Sequence, residues 1–162
     1  MLAIVIPYYK IRFFEATLIS LALQTDKRFK VYIGNDAGNE DPSRLLEQFK
    51  NQFDFDYQYY ETNLGSLSLT QQWERCLAMV GNQDWVMILG DDDTIDANCV
   101  ALFYQNKDLV ESKNCKVIRY ATQVIDQNDA TLSGIYTHPV YENSTDFLMR
   151  KFKGGTRSSL SE

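Results

Sequence analysis

Apolar positions along the chain fall into two kinds of segment that alternate. Short continuous apolar runs are typical of strands buried in a parallel sheet, whereas longer segments carry apolar residues at helical spacing. Strands are predicted at residues 2–6, 29–33, 55–60 and 85–89. Helices are predicted at 13–23, after the cap Asp41, after Ser66 or Ser68, and at 97–107. This order predicts an α/β fold, a doubly wound and mostly parallel, Rossmann-like sheet with helices on both faces.

The pattern continues into the C-terminal part of the chain. Residues 116–125 predict a long strand, residues 126–129 predict the turn after it, and Ser144 is predicted to cap a helix over 145–152. The sequence shows no internal repeat, linker or low-complexity stretch. We therefore expect a single domain over residues 1–162.

Composition narrows the class of protein. The chain has 162 residues, of which 44% are hydrophobic and 23% charged, as in ordinary globular proteins. Its net charge of -6 argues against a general nucleic-acid binder, although Arg150, Lys151, Lys153 and Arg157 form a local basic cluster. Three cysteines without C-x-x-C spacing argue against a disulfide framework or zinc site and favour a reducing cytoplasm. We expect neither a signal peptide nor a membrane span, and we interpret the single histidine, His138, as structural.

Three carboxylates follow the fourth predicted strand directly. The apolar run 85–89, which we expect to be buried on both faces, ends in Gly90 and then in Asp91, Asp92 and Asp93. Ligands of open α/β sheets bind beyond the carboxyl ends of the strands, and three adjacent acids repel one another unless a cation neutralises them. Hard oxygen ligands suit Mg²⁺ or Mn²⁺. The alternative is a solvated acidic turn in which Asp93 or Asp96 caps a helix.

Other strand ends offer contacts for a nucleotide. Neither the G-x-G-x-x-G fingerprint nor a P-loop follows the first strand, which continues into Pro7-Tyr8-Tyr9. The two tyrosines can sandwich a flat base, or they are half-buried aromatic residues at a strand end. Asp36 can accept a hydrogen bond from a base or a ribose hydroxyl, or it forms an Asx turn. With a metal ion, these residues suit a nucleoside diphosphate.

The ordered set of motifs resembles family 2 glycosyltransferases, which have the GT-A fold and invert the anomeric carbon. Residues 4–9 resemble the opening strand of that family, and residues 31–36 resemble its second strand, which ends in the acid that reads a uracil-type base. Residues 63–65 are similar to its Asn-x-Gly loop. Residues 89–93 look like its DxD region, and 120–128 resemble the strand and turn that follow.

The resemblance implies a set of site residues. Asp92 would be the ligand of Mn²⁺ or Mg²⁺, because Gly90 stands at the first acid of the DxD pattern. The donor would be bound by Pro7, Tyr8, Tyr9, Asp36, Asn63, Gly65, Arg75, Asp91 and Asp93. Arg75 enters this set because Thr70 and Gln71 replace the Arg-Asn pair that often follows the Asn-x-Gly loop. Lys10 and Ala37 also depart from the family, which usually has Asn and Gly there.

The implied activity is transfer of a sugar from a nucleoside-diphosphate sugar, expected to be a UDP-sugar, to a glycan or lipid-linked acceptor. Such an enzyme would serve polysaccharide biosynthesis in the cytoplasm or at the inner face of the membrane, with peripheral membrane association and a homodimer as further expectations. No residue is assigned as the catalytic base. The carboxylates to test are Asp126, Asp129, Glu142 and Asp146. Glu162 is not among them, because no sequence context follows it. We therefore expect the donor-binding, N-terminal part of a longer enzyme.

Three alternatives belong to other classes. A non-catalytic nucleotide-sugar-binding module would share every donor contact with the enzyme. A phospho-acceptor receiver domain would place its paired acids after the first strand, where Pro7 stands instead. A sugar-nucleotide pyrophosphorylase would need a Gly-rich phosphate loop at the same place.

Overall fold

The computed structural model describes residues 1–128 and 130–154, which divide between Lys107 and Asp108 into two compact units. Asp129, Arg157 and Glu162 lie outside the described residues. This division does not test the expectation of a single domain over the whole chain, which stays a prediction. Within the described ranges, no helix is both long enough and apolar enough to cross a bilayer.

The first unit alternates strands and helices in the predicted order. Its elements are β1 (Leu2–Tyr8), α1 (Phe14–Ala22), β2 (Phe29–Asp36), α2 (Ser43–Phe49), β3 (Asp54–Tyr60), α3 (Leu69–Leu77), β4 (Trp85–Ile88) and the start of α4 (Cys99–Ser112). The strands form one parallel sheet in the order β3-β2-β1-β4, with Leu2 opposite both Phe29 and Trp85. The predicted doubly wound α/β architecture is therefore confirmed.

Alternation along the strands assigns the helices to the two faces of the sheet. Ala3, Val5 and Tyr32 lie on one face and pack against Cys76 of α3. On the other face, the ring of Phe29 lies 6.0 Å from that of Phe53, which also neighbours Phe49 of α2. Trp85 packs its ring edge-on against Phe103 of α4, 5.7 Å away, on that same face. Both faces are covered, so β1 and β2 are almost completely buried.

The strand β4 departs from the prediction of burial on both faces. It is an edge strand of the sheet formed by the described residues, and its side chains alternate between partial burial and exposure. Val86 and Ile88 are 40% and 41% exposed. The continuous apolar run therefore predicts the strand correctly but overestimates how far its side chains are buried. Burial depends on neighbouring elements as well as on the strand's own sequence.

Helix ends follow the predicted capping chemistry, with small shifts. Ser68 caps α3 and accepts a hydrogen bond from the Gln71 amide, which decides between the two serines that sequence alone left open. Asp41, predicted to cap α2, lies one residue before the N-cap Pro42, and its side chain accepts hydrogen bonds from the Ser43 amide and hydroxyl.

The described part of the second unit contains the end of α4, one further helix and two isolated antiparallel bridges. The strand predicted over 116–125 is wrong: Thr122 bridges Tyr136 and Ile125 bridges Thr131, without a continuous ladder. The helix α5 (Ser144–Phe152) is present, but Asn143 caps it where Ser144 was expected. Glu142 accepts hydrogen bonds from Arg119 and Arg150 and so joins this helix to the segment before it.

Candidate functional site

The loops after β1, β2 and β4 meet at the carboxyl end of the sheet. The Asp91 carboxylate accepts hydrogen bonds from the backbone amides of Tyr9 and Lys10, at 2.6 and 2.8 Å from Oδ2. The hydroxyl of Tyr8 donates to the Glu40 carbonyl at 2.9 Å, which connects the end of β1 to the loop after β2. The order β2-β1-β4 places these strand ends side by side, as expected for a ligand site of an open α/β sheet.

Asp91 acts within this arrangement as a clamp on the β1 loop. Its carboxylate is half-buried, and burial raises its pKa above the usual range even though the two amide hydrogen bonds and a hydrogen bond from its own backbone oppose that shift. One oxygen is committed to two backbone donors. Asp91 therefore fixes where Tyr9 and Lys10 stand, a role that the sequence did not distinguish from donor contact.

Asp92 and Asp93 differ from Asp91 because both are exposed. Their carboxylates turn towards Gly90: a Cβ placed on that glycine would lie 2.6 Å from Asp93 Oδ2 and 3.0 Å from Asp92 Oδ1. The absence of a side chain at position 90 therefore leaves the space onto which two carboxylate oxygens converge. Glycine at the place of the first DxD acid has a steric reason here.

This donor set fits a divalent cation shared with a phosphorylated ligand. Among residues 1–128 and 130–154, no group of three or more His, Cys, Asp or Glu side chains is arranged to hold a metal ion. Mg²⁺ typically binds through one or two carboxylates together with substrate phosphates and water, so a complete protein cage is not required. Asp92 as the metal ligand, with Asp93 beside it, stays a prediction.

Asp36 organises the loop that follows β3. It is only 4% exposed and accepts hydrogen bonds from the amides of Leu64 (2.7 Å) and Gly65 (2.8 Å) and from Arg75 Nη2 (2.5 Å). A Cβ on Gly65 would lie 2.6 Å from Asp36 Oδ2, so this contact requires glycine. A carboxylate has about four acceptor positions, and three are used within the chain. The side chain is thus mainly a structural centre of this loop.

Arg75 completes a polar cluster beside Asp36. Its Nε donates to Gln72 Oε1 at 2.9 Å, its terminal nitrogens donate to the Thr62 carbonyl, and its guanidinium lies 3.9 Å from the centre of the Tyr60 ring. Gln72 is 2% exposed and also donates to the Gly34 carbonyl. Sequence reasoning missed Gln72 and Tyr60. The available signal was the spacing of Gln72 and Arg75, which share one face of α3.

The tyrosines after β1 have different surroundings. Tyr8 is fully buried, its ring lies 4.7 Å from that of Phe14, and burial raises the pKa of its hydroxyl. Tyr9 is 40% exposed. A base sandwiched between the two rings, one of the two alternatives that the sequence left open, does not fit this structure, because Tyr8 is fully buried. Pro7 is part of β1 and is partly buried.

Asn63 shapes its own loop. Its side-chain oxygen accepts from the Ser66 amide at 2.8 Å, and its carbonyl accepts from the Ser66 hydroxyl at 3.0 Å. These two contacts between residues three apart close a short turn and hold the loop in one conformation. Asn63 and Gly65 thus lie in a loop anchored on Asp36, and direct donor contact by either residue stays a prediction.

Carboxylates proposed for testing as the catalytic base are engaged in local contacts. Asp126 accepts from the amides of Asn128 and Ala130, and Asp146 accepts from the side chain of the capping Asn143. The side-chain hydrogen bonds of Arg150 and Arg119 lower the pKa of Glu142 to about 2, a value unsuited to a base at neutral pH. The fourth candidate, Asp129, lies outside the described residues. No catalytic residue is assigned.

Comparison with known proteins connects this architecture to one group of solved structures. No family model and no curated protein matches the chain. The crystal structure of S. aureus TarS superposes with a TM-score of 0.59 at 17% identity, covering 76% of this chain and 21% of that one. TarS 1-349 in complex with UDP-GlcNAc gives a TM-score of 0.58 at 17% identity, covering 79% and 41%. Its complex with UDP gives 0.58 at 17% identity, covering 79% and 42%.

These similarities concern the fold. The chain spans less than half the length of the TarS chains it matches, at an identity that supports no transfer of residue roles. The described residues therefore have a glycosyltransferase-like, Rossmann-type α/β fold.

Proposed function

We propose that this chain is the donor-binding part of a metal-dependent glycosyltransferase of the inverting family 2 type, acting on a UDP-sugar. The observation that carries the proposal is the placement of two polar centres at the same, carboxyl end of the sheet. One is the exposed pair Asp92 and Asp93 over Gly90, and the other is the Asp36–Arg75 centre. Support comes from the TarS fold, whose solved structures include complexes with UDP and UDP-GlcNAc.

The proposed roles follow the surroundings of each residue. Tyr9 offers an exposed ring for the base, and Asp36 with Arg75 offers an acceptor and a cation beside it. Asp92, with Asp93, would hold Mn²⁺ or Mg²⁺, which stabilises the negative charge that develops on a diphosphate leaving group. Asp91 holds the Tyr9–Lys10 backbone in the position that this binding needs.

Inversion requires a second partner and a base. An acceptor hydroxyl forms a bond to the anomeric carbon while the bond from that carbon to the diphosphate oxygen breaks on the opposite face, and the hydroxyl proton passes to a carboxylate. In this proposal the acceptor is a glycan or a lipid-linked sugar, handled in the cytoplasm or at the inner face of the membrane. No described residue is assigned as the base or to the acceptor surface.

One observation favours a second candidate, a nucleotide-sugar-binding module without transferase activity. Asp126, Glu142 and Asp146 are all occupied by local hydrogen bonds, so none of these described candidates is prepared to accept a proton from an acceptor. Both candidates bind the donor, and a measurement of sugar transfer distinguishes the enzyme from the binding module.

Calorimetric titration of UDP in Mn²⁺, in Mg²⁺ and in excess chelator tests the donor site. We expect binding in either metal and its loss in chelator, because two phosphates approaching exposed carboxylates are repelled without a cation. Titration of ADP and GDP under the same conditions tests the base. Equal UDP affinity in Mn²⁺ and in chelator would refute the metal-bridged site, and equal affinity for all three nucleotides would refute selection of uracil.

A further inference from the structure

The opposite edge of the sheet carries a groove that the donor site does not use. It lies between α2 and β3 and has a volume of about 350 Å³. Leu46, Phe53, Phe55 and Tyr57 form its apolar walls, and the charged side chains of Glu47, Lys50 and Asp54 also line it. The strand β3 is at one end of the sheet order and β4, with the acidic cluster, is at the other. The groove is therefore a separate surface of the first unit.

The outer edge of β3 offers backbone groups to a partner strand. Within the described residues, β3 pairs with β2 along its full length and with no other strand. Alternate amides and carbonyls of an edge strand point away from the sheet and can pair with an added strand. An extended peptide that binds in this way gains affinity from the backbone hydrogen bonds and specificity from the side-chain pockets beside them.

The spacing of the wall residues suits the side chains of such a strand. Phe55 and Tyr57 are two residues apart in β3, so their rings project from the same face of the sheet and are only partly buried. Leu46 and Phe53, in contrast, are 4% and 7% exposed and close the groove from below. An apolar side chain of an added strand would enter this space, whereas its neighbours would point to the opposite face.

The acidic side chains along β3 favour a cationic partner strand. Residues 40–61 contain six carboxylates and two cationic side chains, so this part of the chain stays negative even when Lys30, which contacts Asp54 and Asp56, is added. The side chains of Asp54 and Asp56 are 66% and 55% exposed, and Lys30 contacts both at 3.8 and 3.1 Å. A cationic strand is attracted to this edge. A second copy of the chain would bring its own Asp54 and Asp56 against these acids, which disfavours self-pairing.

We propose that the groove between α2 and β3 binds an extended, cationic peptide segment, which adds to the free edge of β3 and places an apolar side chain against Phe55 and Tyr57. This surface would recruit a protein partner while leaving the carboxyl end of the sheet open. The inference does not depend on the nucleotide site.

Fluorescence anisotropy with a labelled peptide in which Lys alternates with Leu tests the proposal, and the same peptide with Glu for Lys is the control. We expect the lysine peptide alone to bind. The double variant Asp54→Lys and Asp56→Lys should weaken binding by about tenfold, because two attractions become repulsions. The neutral double variant Asp54→Asn and Asp56→Asn should weaken it by about threefold and covers the case in which charge reversal disturbs the fold.

Position and mode of binding need separate readouts. Asp84→Lys makes the charge change of one of these two substitutions, at an exposed acid just before β4, and should alter affinity less than about twofold. Amide hydrogen exchange should show new protection of the outward amides of β3 in the complex. Equal loss of affinity in Asp84→Lys, or binding without protection of β3, would overturn the proposal. Protection of β3 that rises with protein concentration in the absence of peptide would overturn it in favour of a second copy.

Discussion

Four aspartates at the carboxyl end of the sheet have surroundings that separate their roles. Asp36 is buried within three internal hydrogen bonds, and Asp91 is half-buried against two backbone amides. Asp92 and Asp93 are exposed and converge over Gly90. A carboxylate that already serves internal donors contributes mainly to shape, whereas an exposed one can exchange water for a metal ion. Mutation of each should therefore give a distinct result.

Replacement of Asp92 and of Asp91 should affect UDP binding differently. Asp92→Asn removes a charged oxygen ligand, so UDP affinity in Mn²⁺ should fall to its level in chelator. Asp91→Ala leaves two backbone donors without their acceptor and loosens the Tyr9–Lys10 loop, so affinity should fall by roughly tenfold, the equivalent of one lost hydrogen bond, while a gain from Mn²⁺ remains. Calorimetry of both variants with and without Mn²⁺ is the measurement.

The exposed acid Asp84, converted to Asn, serves as the matched control and should bind UDP as the unaltered chain does. Normal Mn²⁺-dependent binding by Asp92→Asn would show that the ligand assignment is wrong. Complete loss of the Mn²⁺ effect in Asp91→Ala would show that Asp91 belongs to the metal site and is more than a clamp.

Asp36→Asn should act first on stability. The change breaks the ion pair with Arg75, whose side chain is 20% exposed. The positive charge of Arg75 then no longer faces a carboxylate. Breaking a buried pair costs about 3–5 kcal/mol, and the partial exposure of Arg75 places the expected loss near the lower end. Urea unfolding followed by tryptophan fluorescence measures it. Unchanged stability with a reduced UDP affinity would instead make Asp36 purely a ligand-binding residue.

Residue identities revealed the location of the site better than the bonding within it. Asp36 at the end of β2, the Asn-x-Gly loop and the acidic run lie at the carboxyl end of the sheet, because each adjoins a strand that the pattern predicts, and their role in binding stays a prediction. Ala37, where the family usually has glycine, does adopt a left-handed backbone conformation with φ of 55°. The burial of Tyr8 and the role of Gln72 depend on tertiary contacts across the chain, which periodicity does not encode.

The helices and strands of the first unit were predictable because each combines a clear spacing of apolar residues with turn or capping residues at its ends. Residues 116–125 failed for a physical reason: they are rich in strand-forming side chains, but a strand exists only where another backbone pairs with it. Within the described part of the second unit such pairing is limited to single bridges, and Val117 is 73% exposed. Strand propensity reports the suitability of a segment for a sheet and contains no information about its partner.

The segment before α5 should make the stability of the second unit depend on pH. Burial, then the positive charges of Arg119 and Arg150, lower the pKa of His138, whereas the Tyr120 backbone and Glu142 oppose this shift. The unfolded chain therefore binds a proton more readily than the folded unit. Stability should be complete above the unfolded pKa of about 6.5 and should fall as the pH is lowered through that value.

Hydrogen exchange of α5 amides between neutral and mildly acidic pH, corrected for intrinsic rates, would measure this loss. His138→Gln should remove the slope below pH 6.5 and leave a separate loss at lower pH, where Glu142, whose pKa is about 2 in the fold, becomes protonated. A slope that persists in His138→Gln would assign the effect to another group.

At the scale of the whole molecule, the strand order follows from the connections. Each crossover from one parallel strand to the next carries a helix, and the return from β3 past β2 and β1 to β4 reverses the direction in which strands are added. That reversal at β1 creates the crevice in which the loops after β1, β2 and β4 meet. The sequence pattern was sufficient to expect this crevice, since it needs only the order of elements and short connections.

The described chain should bind a UDP-sugar and transfer the sugar barely or not at all. Its proposed donor contacts all precede residue 94, on strand ends that the sheet holds together. General base catalysis contributes about 10²–10⁴-fold and positioning of the acceptor contributes more, yet Asp126, Glu142 and Asp146 are occupied locally.

A coupled assay for UDP release, run with several UDP-sugars and simple glycan acceptors, measures transfer, and UDP calorimetry on the same sample verifies the donor site. Binding without turnover is the expected result. A transfer rate of about 1 s⁻¹, within the ordinary range of enzymes, would contradict it. The base would then lie within these 162 residues, and the local bonds of Asp126, Glu142 or Asp146 would have to open during the reaction. Conversion of each carboxylate to its amide would then identify which one accepts the proton.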